Sequence, residues 1–128
     1  MEEYVTHRRE VFDYAKNKYN TEPEYLWERF PGYAVLRHED NRKWYALIMN
    51  ITKRKLGNFP DEPVDIINLK LSDPLAAELL TQQEGYFRGY HISRGNWVSV
   101  LLDGSVSMDD IFGLIDESFA VTAKKRKK

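Results

Sequence analysis

Residues Val64 to Leu71 alternate in character, with Ile67, Leu69 and Leu71 on one side of an extended chain and Ile66, Asn68 and Lys70 on the other. A period of two specifies a half-buried strand, and its apolar side needs a covering layer. Ser72-Asp73-Pro74 follows at once, a capping side chain before a proline whose missing N–H is harmless in a first helical turn. A strand running straight into a helix therefore anchors the reading of the chain on both sides.

Before this strand, 33–38 and 43–50 are rich in β-forming residues and are joined by the turn formers Glu39-Asp40-Asn41-Arg42, which predicts an antiparallel hairpin. After it, the helix should bury Leu75, Leu79 and Leu80, run to Glu84 and close on Gly85 in the left-handed conformation. Segments 86–93 and 97–102 then form a second hairpin around Arg94-Gly95-Asn96. Ser107-Met108-Asp109-Asp110 opens a last helix with Ile111, Leu114 and Ile115 inward. At the other end of the chain, Thr6 caps a helix over 7–19 that turns Val5, Arg8, Phe12, Ala15 and Tyr19 to one side and stops at Asn20-Thr21-Glu22-Pro23. One helical turn over 25–29 ends at Phe30-Pro31-Gly32.

The order is helix, three strands, helix, two strands, helix. Short links within each group of strands make the five-stranded sheet mainly antiparallel, with the helices on one face: an α+β two-layer sandwich. The opposite face, with Ile66, Asn68 and Lys70 beside Trp44 or Trp97, is either open to a ligand or partner or covered by the termini. Residues 1–123 form one domain in this reading and 124–128 a basic tail. With 128 residues and 42% apolar content, the chain has enough material for a core without covalent staples.

The absence of cysteine removes disulfides, thiolate nucleophiles and Cys-ligated metals. The longest apolar run, Trp44 to Met49, is too short for a membrane span, so a cytoplasmic protein is expected. Formal net charge is −1, yet Lys124-Lys125-Arg126-Lys127-Lys128 alone carries +5. Without those five, 14 basic residues face 20 acidic ones and the remainder is near −6. Any phosphate binding must then come from local patches. Arg37, Arg42, Lys43, Lys53, Arg54 and Lys55 lie within one stretch holding only two acids, whereas 103–123 has five acids and no base.

Several segments together resemble the small MmcQ/YjbR proteins. They are Phe30-Pro31-Gly32-Tyr33 leading to Arg42-Lys43-Trp44-Tyr45-Ala46, Val64-Asp65-Ile66-Ile67-Asn68-Leu69-Lys70, and Gly89-Tyr90-His91-Ile92-Ser93-Arg94-Gly95-Asn96-Trp97. Asp103-Gly104 and Ser118-Phe119 before the basic end complete the set. The resemblance implies the same two-layer arrangement of three helices and five strands, and a DNA-binding role of the "double-wing" kind. The chain departs from the family pattern at Ser93-Arg94, Asn96 and Phe119, where members often carry Asn-Lys, His and Tyr.

No catalytic constellation is recognisable: there is no phosphate loop, nucleophile elbow or paired-histidine zinc motif, so a non-enzymatic protein without metal or cofactor is expected. Asp109 and Asp110 are explained by the start of a helix. His38-Glu39-Asp40 lacks the spread of ligands that zinc needs. The expected DNA contacts are Arg37, Arg42, Lys43, Lys53, Arg54, Lys55 and Arg94, with Lys124, Lys125, Arg126, Lys127 and Lys128 as a flexible arm, giving binding of low sequence specificity. Two alternatives stand beside this: a protein-interaction or chaperone-like module using the open sheet face, and a small-ligand sensor around Tyr90, His91 and Trp97. The corresponding pocket would draw on Trp44, Asn68, Lys70, Tyr90, His91, Trp97 and Ser118. Against it, a strand histidine bonded to a buried carbonyl explains His91 as well.

Overall fold

A computed structural model describes residues 4–92 and 95–123. Helix α1 (Arg8–Tyr19) is followed by β1 (Ala34–Arg37), β2 (Trp44–Thr52), a 3-10 turn (Lys53–Leu56), β3 (Pro63–Lys70), α2 (Pro74–Leu80), β4 (Tyr86–Arg88), β5 (Trp97–Leu101) and α3 (Met108–Thr122). The strands form one sheet in the order β1-β2-β3-β5-β4, antiparallel at every pairing. The expected α+β order is thus the observed one.

The alternation in β3 settles the layering. Ile67, Leu69 and the following Leu71 join Ala46, Ile48, Val98 and Val100 beneath Val11, Ala15, Ile111 and Ile115 of α1 and α3. Rings lock the helices to each other and to the sheet. Tyr14 stacks on Phe112 at 4.1 Å, and Tyr19 stacks on Phe119 at 3.7 Å while meeting Tyr45 edge-on at 5.9 Å. The capping signals hold for the later helices: Asp73 accepts from the Leu75 amide, and Ser107 from the Asp110 amide.

Five local expectations need correction. The sheet face opposite the helices is not open. Val35, Leu47, Met49, Ile51, Val64, Ile66 and Leu101 form a second buried cluster there, covered by Trp27 and Tyr33 from the α1–β1 connection and by Tyr90 and Ile92 from the chain after β4. Those covering segments have no regular secondary structure and hence no periodicity by which to recognise them.

Next, α2 ends at Leu80 and buries Ala77, leaving Leu75 64% and Leu79 54% exposed. A seven-residue helix has too few turns to sustain the leucine stripe.

Third, β4 stops at Arg88. A side chain at Gly89 would lie 2.1 Å from the Ile92 carbonyl oxygen, so the chain doubles back at once instead of extending to residue 93. Finally, Val5 is exposed and the buried side of α1 is Val11 and Ala15, with Phe12 and Tyr19 beside them. His7 stands at its N-cap without a side-chain cap, and Thr6 accepts from the Arg8 amide. Residues 25–29 form no helix: the chain makes one turn at Glu28-Arg29, closed by the Phe30 amide on the Trp27 carbonyl.

Candidate nucleic-acid interface

The β1–β2 turn is built around its own polar side chains. The Lys43 amide donates to Asn41 Oδ1 at 2.9 Å, and the His38 amide donates to the Lys43 carbonyl at 2.9 Å, with Arg42 in the left-handed region at φ 62°. Asn41 Nδ2 reaches across to the Thr122 carbonyl at 2.9 Å, satisfying an end group of α3 that has no partner within the helix. His38, buried under Phe119, meets Thr122 Oγ1 through Nε2 at 2.8 Å. The Thr122 hydroxyl proton is committed to the Ser118 carbonyl, so Nε2 carries the ring hydrogen and donates. Burial holds the imidazole below its ordinary value, outweighing Asp40, and His38 is a neutral strut rather than a cation.

Register places other turns at this same end of the sheet. Lys70 lies opposite Trp97, and Leu71 and Asn96 exchange two bonds: the Leu71 amide donates to the Asn96 carbonyl at 2.9 Å, and Asn96 Nδ2 donates to the Leu71 carbonyl at 3.0 Å. Ala123 lines one cleft of about 800 Å³ with Arg37, Asp40 and Arg42. The turn 38–43, the turn before Trp97 and the end of α3 therefore converge.

The cations expected to touch phosphate divide into two classes. Arg37, only 17% exposed, has its Nε 3.0 Å from one oxygen of Glu24, and Arg42 lies 3.5 Å from the other. Lys53 is 3.9 Å from Asp103 and sits 4.9 Å over the Phe59 ring. These three carry local partners, contrary to the expectation of free charges, because the acids of distant segments fold back onto them. Lys43, Arg54 and Lys55 are exposed and make no ion pair among the described residues. Lys43 precedes β2 and Arg54-Lys55 follow it, so a nine-residue strand of about 30 Å separates them. Arg94 and Lys124, Lys125, Arg126, Lys127 and Lys128 lie outside the described residues.

The residues expected around a pocket fall on both sides of the sheet. The β1–β2 register shifts between Leu36 and Arg37, leaving Tyr45 as an extra residue that turns inward with Ala46 towards the helices. The β2–β3 ladder begins only at Ala46 and Leu69, and Ser118 of α3 completes it: its hydroxyl accepts from the Lys70 amide at 2.9 Å and donates to the Tyr45 carbonyl at 2.6 Å. Ser118 is structural and faces the helices. Asn68 is wholly buried on the other face, donating to the Leu47 carbonyl at 3.2 Å and accepting from Ser99, whose Oγ accepts from the Tyr90 amide at 2.8 Å. Trp44 packs against that second cluster, and Lys70 and Trp97 share the face at its margin. His91 is not on a strand. It is exposed in a left-handed loop conformation at φ 61°, with its ring 4.1 Å from that of Tyr90. The seven residues do not converge on one cavity.

Sequence reasoning missed two polar centres. Buried Asp65 accepts from Tyr4 at 2.7 Å, Thr6 at 2.6 Å and Arg8 Nε at 2.8 Å, and Arg8 Nη1 continues to the Gly32 carbonyl at 2.9 Å. Burial, reinforced by Asp65, pushes the Tyr4 hydroxyl up to about 12. Asp116 gathers Tyr14, Lys18 and Tyr19. Burial alone would raise its carboxyl, but their hydrogen bonds prevail and hold it below the usual range. An acidic residue in a strand whose neighbours are apolar was the one available signal for Asp65. Among the described residues no group of three or more His, Asp or Glu is arranged to hold a metal, and no helix is long and apolar enough to cross a membrane.

The family model described as YjbR matches residues 16–121. This chain belongs to the YjbR family. A relative in Bacillus subtilis (strain 168), "Uncharacterized protein YyaQ", is 41% identical over 115 residues, spanning 90% of this chain and 97% of its own. A crystal structure of a Pseudomonas syringae protein is 43% identical, with a TM-score of 0.87, covering 91% of this chain and 99% of that one. A solution structure of a protein from the same organism, at 41% identity, has a TM-score of 0.83 and covers 95% and 97%. A Deinococcus radiodurans protein with a DUF419 domain shares the fold at a TM-score of 0.70 and 21% identity, covering 98% and 84%. The YjbR sandwich thus accounts for nearly the whole chain.

Proposed function

We propose that this YjbR protein is a cytoplasmic, non-enzymatic DNA-binding protein that holds the phosphate backbone with little regard to sequence. The observation that carries the reading is the anchoring of the β1–β2 turn to the last turn of α3 through Asn41 and His38. It holds the turn that carries Lys43 against the end of α3, after which the sequence continues into five consecutive cations. Phosphate contacts need clustered positive charge more than a shaped pocket, and in this reading Lys43 and the five cations after Ala123 supply it, because Glu22, Glu24, Glu39 and Asp40 line the cleft with Arg37 and Arg42. Arg54 and Lys55 at the far end of β2 form a second, smaller contact point about 30 Å away. Arg37, Arg42 and Lys53 contribute little, because phosphate would have to compete with Glu24 and Asp103.

The test is a titration of the full chain with duplex DNA between 50 and 200 mM salt (about 50 and 200 mM bracket the informative range), with heparin as competitor. Tight binding at low salt, weakened by orders of magnitude at high salt, supports the reading; no binding at low salt overturns it. Displacement by heparin at equal charge shows that the attraction is generic to polyanions.

A second reading, a protein-interaction module, is favoured by one observation. The three-residue β4 is an edge strand, and exposed Leu75 and Leu79 lie on the adjacent helix α2. A partner strand added there would survive salt that abolishes phosphate contacts. The covered second face of the sheet takes no part in it.

A further inference from the structure

The connection between α1 and β1 presents aromatic surface that the core does not use. Tyr25, Leu26 and Phe30 are all about half exposed, Phe30 at 48%. Phe30 is nevertheless held in place. Its ring stacks on Tyr33 with centroids 4.7 Å apart and planes 13° from parallel, and Tyr33 in turn meets Trp27 edge-on at 5.8 Å. The backbone beneath is tied at three points: the Phe30 amide to the Trp27 carbonyl, the Tyr33 amide to the Phe30 carbonyl, and the Gly32 carbonyl to Arg8, itself fixed by buried Asp65. Gly32 lies so close to Asn50 that a Cβ there would fall 2.2 Å from Oδ1, which presses the turn onto the end of β2.

Phe30 and Tyr33 form one wall of a concavity of about 320 Å³, at the small end of the roughly 300–1,000 Å³ typical of ligand sites. Asn50, Thr52 and Lys55 line its other sides, with Tyr4, Ile51 and Pro63. Lys55 has no ion-pair partner among the described residues, and exposed Arg54 adjoins it. A stacked aromatic step, half open, beside an amide, a hydroxyl and a free ammonium has the chemistry of a single-strand nucleic-acid contact: a π face for the base, polar groups for its edge and a cation for its phosphate.

We propose that this concavity takes an unpaired nucleobase of a single-stranded segment, the base continuing the Phe30–Tyr33 stack and its phosphate lying against Lys55. The assignment rests on the nucleic-acid reading above, yet it uses the opposite end of β2 from the Lys43 turn. A protein engaging both ends would span a duplex and an adjoining unpaired stretch.

The experiment follows Trp fluorescence, Trp27 being part of the aromatic cluster, as the full chain is titrated with oligothymidylate, thymidine monophosphate and blunt duplex DNA. Oligothymidylate should quench the emission. Phe30→Ala should weaken that binding by roughly five- to 150-fold, as loss of a stacking aromatic does elsewhere. Phe30→Tyr, which keeps the ring, should restore it, and Lys55→Ala should weaken it and lower its salt dependence. Duplex affinity should be unchanged in Phe30→Ala. Equal oligothymidylate affinity in Phe30→Ala and the natural chain overturns the site, as does monophosphate binding as tight as the oligonucleotide. Salt-sensitive duplex binding with no response to unpaired thymidines overturns this site alone, whereas the reverse result removes the duplex reading and leaves the site standing.

Discussion

Two buried side chains at the hairpin end carry consequences that can be measured. Ser118 satisfies the Lys70 amide and the Tyr45 carbonyl, both at the point where the β2–β3 ladder gives out. Ser118→Ala leaves two main-chain groups unpaired in the interior, and about 1–3 kcal/mol of stability should be lost, read as a lower urea midpoint at unchanged slope. His38 gives a pH signature. Its folded pKa lies below the ordinary 6.5, mainly through burial, so below pH 6.5 the unfolded chain takes up a proton that the folded chain does not. Stability is therefore full above pH 6.5 and declines as pH falls from there towards the folded pKa. His38→Gln should flatten the part of the stability profile just below pH 6.5, while the decline at acidic pH from carboxylates such as Asp116 remains. An unchanged profile would show that the imidazole binds its proton equally well in the folded and unfolded chain.

Elements differ in how much they contribute, and α2 differs most from its sequence. Leu75 and Leu79 look like a core stripe but face water, so Leu75→Ala and Leu79→Ala should each change stability by less than about 0.5 kcal/mol. Ile115→Ala in α3, wholly buried, should cost about 2–5 kcal/mol by the same denaturation measurement. Periodicity cannot make that distinction, because it reports which residues could share a side, not whether anything packs there. Gly89 offers another test: Gly89→Ala forces apart the 89–92 turn, where a Cβ meets the Ile92 backbone, and should destabilise the chain, whereas Gly113→Ala meets nothing within 4 Å and lies within α3, where alanine is the better helix former. The sequence of helices and strands along the chain and the capped starts of α2 and α3 were legible because alternation, capping residues and turn formers are local, whereas the placing of β5 between β3 and β4 depends on long-range pairing. Trp27, Tyr33 and Tyr90 as a cover for the second sheet face were not, because irregular chain carries no period. The pairing of Arg37 with Glu24 was equally hidden, since it crosses unpatterned sequence and depends on the isolated bridge that brings Glu24 to Val35.

Across the whole molecule, charge is partitioned by folding rather than by sequence neighbourhood. The six cations between Arg37 and Lys55 look like one patch in the sequence, but β2 carries them to opposite ends of the sheet, and three of them acquire carboxylate partners. What remains without a carboxylate partner at the hairpin end, among the described residues, is Lys43, with Lys124–Lys128 following Ala123 in the sequence. Polyanion binding at this end makes a quantitative claim about those five residues. The decisive measurement is the slope of log affinity against log salt for duplex DNA, compared between the full chain and one ending at Ala123. If four to five phosphates are engaged by the tail, shortening the chain should make the slope shallower by roughly four units. Identical slopes in the two proteins would contradict the assignment of phosphate binding to this end of the molecule.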